Sequence, residues 1–176
     1  MRLSQLTAVA AFAAALALSG AARAETKVEL KGVHLCCPAC TRAVGDILKK
    51  ADDVKGTCDQ KAGTVTLTAK DDEAAKKALQ ALADGGFHGE TDNKDLAIKD
   101  DSGATKGKVE KLTVTGLHNC CRACNNAIKT AVKKVDGVKG DTAKAMQNTF
   151  EVTGDFDAEE LVKALNAAGF HVKVKK

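Results

Sequence analysis

The nine residues GVHLCCPAC, Gly32–Cys40, place three cysteines within five positions, two residues after a histidine. The stretch recurs as GLHNCCRAC, Gly116–Cys124, with glycine, histidine and all three cysteines in the same places. The likeness extends outward on both sides. Val28-x-Leu30-x-Gly32 corresponds to Leu112-x-Val114-x-Gly116, and Val54-Lys55-Gly56 to Val138-Lys139-Gly140. Lys77-Ala78-Leu79 corresponds to Lys163-Ala164-Leu165, and Gly86-Phe87-His88 to Gly169-Phe170-His171. Matches that keep their order at a nearly constant offset mark an internal repeat, so the chain reads as two copies of one small unit.

Each copy has the same local grammar. A strand with period-two apolar alternation comes first, at Val28 and Leu30 or Leu112 and Val114. The cysteines follow. A helix then carries apolar residues at helical spacing: Val44, Ile47, Leu48 and Ala51, or Ile128, Ala131, Val132 and Val135. Turns at Asp53 and at Asp136-Gly137 lead into a second strand. A short turn near Lys61-Ala62-Gly63 or Met146-Gln147-Asn148 leads to a third, with Val65 and Leu67 or Phe150 and Val152 inward. A second helix follows. Asp157 and Glu160 resemble a capping box at its start in the second copy, and Gly85-Gly86 or Gly169 stops it. A final short strand is expected to carry Phe87 or Phe170. The order β-α-β-β-α-β is the split βαβ, or ferredoxin-like, unit, with both helices on one face of an antiparallel sheet. The fold class expected is therefore α+β, two tandem ferredoxin-like units behind a signal peptide. The divisions are 1–24 for the signal peptide, 25–98 and 108–176 for the two units, and 99–107 for a polar, glycine-containing flexible linker.

The leader rests on a basic start at Arg2, an apolar run from Leu6 to Leu18, and Ala22-Arg23-Ala24 as an A-x-A cleavage site. Its apolar core is too short to span a bilayer, and no later segment is an integral membrane candidate. The mature chain is expected to start near Glu25 and to be periplasmic or secreted. The formal charge of +4 comes from 27 basic and 23 acidic residues interspersed along the chain. Trp and Tyr are absent. Neither a clustered basic patch nor interleaved aromatics supports nucleic-acid binding. No nucleophile elbow, paired-carboxylate motif or phosphate loop points to a hydrolase or nucleotide enzyme.

Seven cysteines in an exported chain would ordinarily suggest a disulfide framework. Six of them, however, lie in the two tight clusters, and a disulfide within C-x-x-C closes too small a loop to restrain much of the unfolded chain. The cluster falls between the first strand and the first helix. There the unpaired N–H groups and the dipole of the helix start favour an anion, which is expected to lower the pKa of the second cysteine of C-x-x-C. Pro38 fits the first helical turn. Two such thiolates can converge on one soft ion, with Cu(I) the best match and Zn2+ or another thiophilic ion also compatible.

A unit of this order with C-x-x-C at the first strand-to-helix junction resembles the heavy-metal-associated domain family, which includes copper chaperones, the metal-binding modules of copper-exporting ATPases, and the periplasmic mercury-binding protein. By position, the resemblance implies Cys37, Cys40, Cys121 and Cys124 as ligands. The family pattern G-M-x-C-x-x-C has Met where this chain has Val33 and Leu117, and here the loop is two residues longer. The insertion adds His34 with Cys36, and His118 with Cys120. Adjacent side chains of an extended chain point to opposite sides, so Cys36 shares an ion with Cys37 only if the loop turns between them. Three roles stay open for Cys36 and Cys120: third thiolate ligands, redox-active thiols, or bridges between domains or protomers. His34 and His118 are candidates to ligate or to hydrogen-bond a ligating thiolate. Cys58, matched by Thr142, is expected to be a free thiol outside the site. His88 and His171 are expected to be solvent-facing.

The function expected is capture of a soft metal, with sequestration or ligand-exchange transfer to a metal transporter or a metalloprotein acceptor, without catalysis. The alternative is a periplasmic thiol–disulfide oxidoreductase using the C-x-x-C pairs. A third reading has the cysteines simply bridging chains.

Overall fold

The computed structural model describes residues 25–175. The expected leader, residues 1–24, lies outside the described residues. The described residues form a mixed α/β structure with two antiparallel sheets and four α-helices.

In the first half, β1 (Thr26–Leu30), β2 (Val54–Asp59) and β3 (Thr64–Ala69) lie in the order β1-β3-β2. Register sets Val28 opposite Leu67 and Leu30 opposite Val65, so period two brings the apolar residues to one face. That face is covered by α1 (Pro38–Lys49), through Cys40, Val44 and Leu48, and by α2 (Asp72–Asp84), through Ala75, Ala78, Leu79 and Leu82. The Asp71 carboxylate caps α2 by accepting from the Ala74 N–H at 2.8 Å.

The second half repeats this. Its strands are β4 (Lys108–Thr115), β5 (Val138–Asp141), β6 (Thr149–Asp157) and β7 (Lys173–Lys175), in the order β5-β6-β4-β7. Its helices are α3 (Arg122–Val132) and α4 (Ala158–Ala167). Leu112, Val114, Ile128, Val152, Phe156, Leu161 and Leu165 fill the core. Asp157 caps α4 through the N–H groups of Glu159 and Glu160. Glu160 does not return the bond to close a capping box: its carboxylate pairs with Lys163 at 2.8 Å.

Two expectations fail at the edges. The fourth strand of the first half shrinks to a single bridge, Lys31 with Glu90, followed by a turn of 3-10 helix at Lys94–Leu96. Phe87 and Phe170 do not sit in final strands of their own sheets; they bridge to each other, antiparallel, across the two halves. Gly86 (φ +81) and Gly169 (φ +86) end their helices in left-handed geometry and turn the chain toward the opposite half.

The segment 99–107, expected to be loose, is fastened along its length. Val174 N–H donates to Ser102 O at 2.8 Å, Gly107 N–H donates to the Asp157 carboxylate at 2.9 Å, and Asp101 accepts from His171 Nε2 at 2.7 Å. Ser102 itself is buried.

Candidate metal centre

Each cysteine pair occupies equivalent places at a helix start. Cys37 (φ −155°) and Cys121 (φ −157°) are the extended residues that precede α1 and α3, while Cys40 and Cys124 are the third helical residues. Pro38 takes the first helical position of α1, where its missing N–H costs nothing. The second cysteine of each pair turns into the core and is fully buried, whereas the first remains half-exposed.

This corrects the expected acidity order. The N–H groups of Cys40 and Ala39 lower the Cys37 thiol to about 6, even though the geometry falls short of a full cap hydrogen bond. The N–H of Cys124 acts on Cys121 in the same direction. Burial pushes Cys40 up instead, despite its place in the first turn. The sulfur that precedes the helix faces the free N–H groups, whereas the third-position sulfur has left them for the core.

The additional cysteines cross over. Cys36 Sγ lies 3.6 Å from Cys121 Sγ and 3.3 Å from Cys124 Sγ, in the opposite half. Cys120 Sγ lies 3.7 Å from Cys37 and 3.6 Å from Cys40. Within each half, Cys37–Cys40 is 3.7 Å and Cys121–Cys124 is 3.8 Å. Cys40 and Cys124 meet across the middle at 3.9 Å. Six of the sequence-proposed sulfurs thus come together in one group, related by an approximate two-fold. Burial raises the Cys36 and Cys120 thiols. All seven cysteines are free thiols. Cys58, half-buried on β2, takes no part in the sulfur contacts and is raised by burial.

Backbone contacts with the same symmetry hold the halves together. Gly169 O accepts the N–H groups of His34 (3.5 Å) and His88 (3.1 Å), and Gly86 O accepts those of His118 (3.4 Å) and His171 (3.2 Å). The glycines are required here. A Cβ at Gly86 would meet His118 N at 2.2 Å, and one at Gly169 would meet His34 N at 2.3 Å. The His34 ring lies against Phe170 and the His118 ring against Phe87, each with centroids 4.5 Å apart. Burial lowers the pKa of both histidines. Nε2 of each is buried without a hydrogen-bond partner, and a ring nitrogen of His34 falls within 4.8 Å of Cys36 and Cys124 sulfur.

His88 and His171 depart from their expected solvent-facing role. Their Nδ1 atoms are 3.4 Å apart at the junction, and His171 is buried against Asp101. Nothing local in the sequence signals this. The only hint was that both histidines follow the repeated Gly-Phe.

Three thiolates held about 2.3 Å from one ion in a plane stand about 4 Å apart, and the corners of a tetrahedral set about 3.8 Å apart. The sulfur–sulfur distances of 3.3 to 3.9 Å lie at or somewhat below these separations, in the range from which a soft ion can gather three thiolates.

Residues 111–171 match the family model of the heavy-metal-associated domain, a range that contains Cys120, Cys121 and Cys124. The copper-transporting ATPase RAN1 of Arabidopsis thaliana is 26% identical over 91 residues, which is 50% of this chain and 9% of that protein. Similar solved structures include a copper binding domain from HMA7, a P-type ATPase (25% identity, TM-score 0.36, 39% of this chain and 96% of that one). Oxidized MerP from Ralstonia metallidurans CH34 is 28% identical with a TM-score of 0.36, covering 38% of this chain and 97% of that one. The N-terminal soluble domains of Bacillus subtilis CopA are 16% identical with a TM-score of 0.32, covering 87% and 95%.

Proposed function

We propose, from the premise that residues 111–171 form a heavy-metal-associated domain, that the chain is a soft-metal carrier of the periplasm. It takes up Cu(I) through Cys37, Cys40, Cys121 and Cys124 together with Cys36 and Cys120, and stores the ion or passes it on by ligand exchange. The observation that carries this reading is the convergence of six free thiols on one spot. Thiolate is the donor that selects Cu(I) over hard cations, and a thiol as acidic as Cys37 offers thiolate at neutral pH. The copper-transporting ATPase among the relatives supports copper as the cargo. A transporter or a metalloprotein is the fitting acceptor, because a half-exposed thiolate such as Cys37 or Cys121 can be reached by an incoming thiolate while the buried partner still holds the ion. The chain binds and passes on; it does not catalyse. Among the described residues no helix is long and apolar enough to cross a membrane.

The test is anaerobic titration of the reduced chain with Cu(I) against a chromophoric chelator, with Zn2+ in parallel and an insulin-reduction assay alongside. Tight Cu(I) uptake with weak insulin reduction is expected. Rapid disulfide exchange without Cu(I) uptake would replace the carrier with an oxidoreductase. Fractionation of expressing cells tests export, with the processed chain expected in the periplasmic fraction.

A further inference from the structure

The sulfur positions carry more than two adjoining C-x-x-C sites. Twelve of the fifteen pairs of the six sulfurs are joined by contacts within 4.8 Å, and the three remaining pairs share no sulfur: Cys36 with Cys120, Cys37 with Cys124, and Cys40 with Cys121. Three opposite pairs with all other edges short describe a distorted octahedron. Four of its triangular faces alternate around the cage. They are Cys36/Cys37/Cys121, Cys37/Cys40/Cys120 and Cys120/Cys121/Cys124, and Cys36/Cys40/Cys124, whose edges are 3.7, 3.3 and 3.9 Å. These four faces use each sulfur twice, and three of them draw on both halves of the chain, the fourth being Cys120/Cys121/Cys124 of the second half alone.

We infer that the two halves form one cage for a thiolate-bridged cluster of four Cu(I) ions, each ion held by three sulfurs and each sulfur bridging two ions. This rests on the carrier function above and deepens it: the cargo is a cluster, and neither half alone supplies the whole cage. Bridging thiolate is the ordinary behaviour of a soft sulfur donor toward Cu(I). The extra cysteine of each copy is what closes the cage, because Cys36 and Cys120 supply the contacts that reach the opposite pair. Cys40 and Cys124 form its buried floor. A ring nitrogen of His34 stands within 4.8 Å of the Cys36 and Cys124 sulfurs, beside that edge of the cage. Counted from six thiols, loading exchanges six S–H bonds for Cu–S bonds: four Cu(I) enter, six protons leave to the buffer, and the cluster carries a net charge of −2, with fewer protons released where Cys37 is already thiolate. No electron moves, because copper enters and stays as Cu(I).

The experiment is native mass spectrometry of the reduced, full-length mature chain during anaerobic Cu(I) titration, with emission recorded in parallel. The expected result is a direct passage from the metal-free chain to a four-copper species, with one- to three-copper forms scarce. Orange-red emission of a solvent-shielded polynuclear Cu(I) thiolate should rise in step. Cys36→Ser and Cys120→Ser, both at half-exposed positions, should each drop the capacity below four and quench the emission, with circular dichroism reporting that the fold is kept. Two ions binding independently, each lost only with its own C-x-x-C pair, would overturn the cage and leave the carrier function standing. So would a single ion shared between the halves. Failure to bind Cu(I) at all would remove the carrier function itself.

Discussion

Around the cysteines the first and second halves are near duplicates. Cys37 and Cys121 both precede a helix in extended geometry, Cys40 and Cys124 are both fully buried, and each half lays a phenylalanine under the other's histidine. At the far edges of the sheets the halves diverge. β7 completes a four-stranded sheet in the second half, whereas the first keeps one bridge and a 3-10 turn. Cys58 stands on β2 where the second half has Thr142, and Lys129 pairs with the half-buried Asp141 at 2.6 Å with Gly45 in the matching place of the first half. Resemblance is thus concentrated where the halves touch. An outer edge needs only to be soluble and paired, and many sequences achieve that. A shared site demands matching backbone on both sides, down to a glycine whose Cβ would strike the opposite chain.

The comparison is broken most severely at its paired aromatics. Phe87→Ala and Phe170→Ala each delete a fully buried ring from the junction, and each is expected to cost about 3–5 kcal/mol of stability by urea unfolding. If the halves are equivalent, the two losses match, and labelling of Cys36 and Cys120 in the metal-free protein accelerates in both variants. A large loss from one ring alone would show that only one half depends on the interface.

A smaller effect separates the junction from the edges by pH. Burial, and then the neighbouring His171, holds His88 down to about 4, with Asp100 opposing in part. An unfolded histidine titrates near 6.5. Below that value the unfolded chain binds a proton that folded His88 refuses, so the stabilisation is complete above about pH 6.5 and drains away as pH falls toward 4. His34 and His118, also lowered by burial, add to the same slope. Unfolding free energies of the metal-free chain between pH 4 and 7 should show this decline, and His88→Gln should flatten it. An unchanged slope in that variant would remove His88 from the account.

The smallest effect is expected at the divergent edge. Cys58→Thr writes the second half's residue into the first. It should leave Cu(I) uptake unaltered and move the stability by about 1 kcal/mol or less. A fall in uptake would bring Cys58 into the site that the geometry leaves it out of.

Much of this was legible in the chain. The period-two strands at Val28–Leu30 and Leu112–Val114, the helices behind the cysteines, and the glycine stops could be read because their signals are local. The six sulfurs could be named as a set for the same reason. Which sulfur meets which could not. Cys36 reaches Cys124, 88 residues away, through the docking of two units, and the sequence left a ligand in its own loop, a redox-active thiol and a bridge between domains all open. The histidine pair was hidden likewise, since a residue on an outer strand and a residue in an interface carry the same local pattern until the partner is in place. The fourth strand of the first half misled for the opposite reason. Repetition promised a strand, but after the Lys31–Glu90 bridge residues 91–98 break into a polar turn, anchored by buried Leu96 with Ile98 half-buried against the core.

The fastened stretch 99–107 has a consequence for concentration. Two separate copies would have to find each other from solution before their sulfurs could share ions, and in dilute compartments they would spend most of their time apart. Joined by a short segment tied down at Ser102 and Gly107, each half meets the other at an effective concentration on the order of millimolar or above. Assembly of the six sulfurs becomes a property of one molecule, indifferent to how few copies the cell makes.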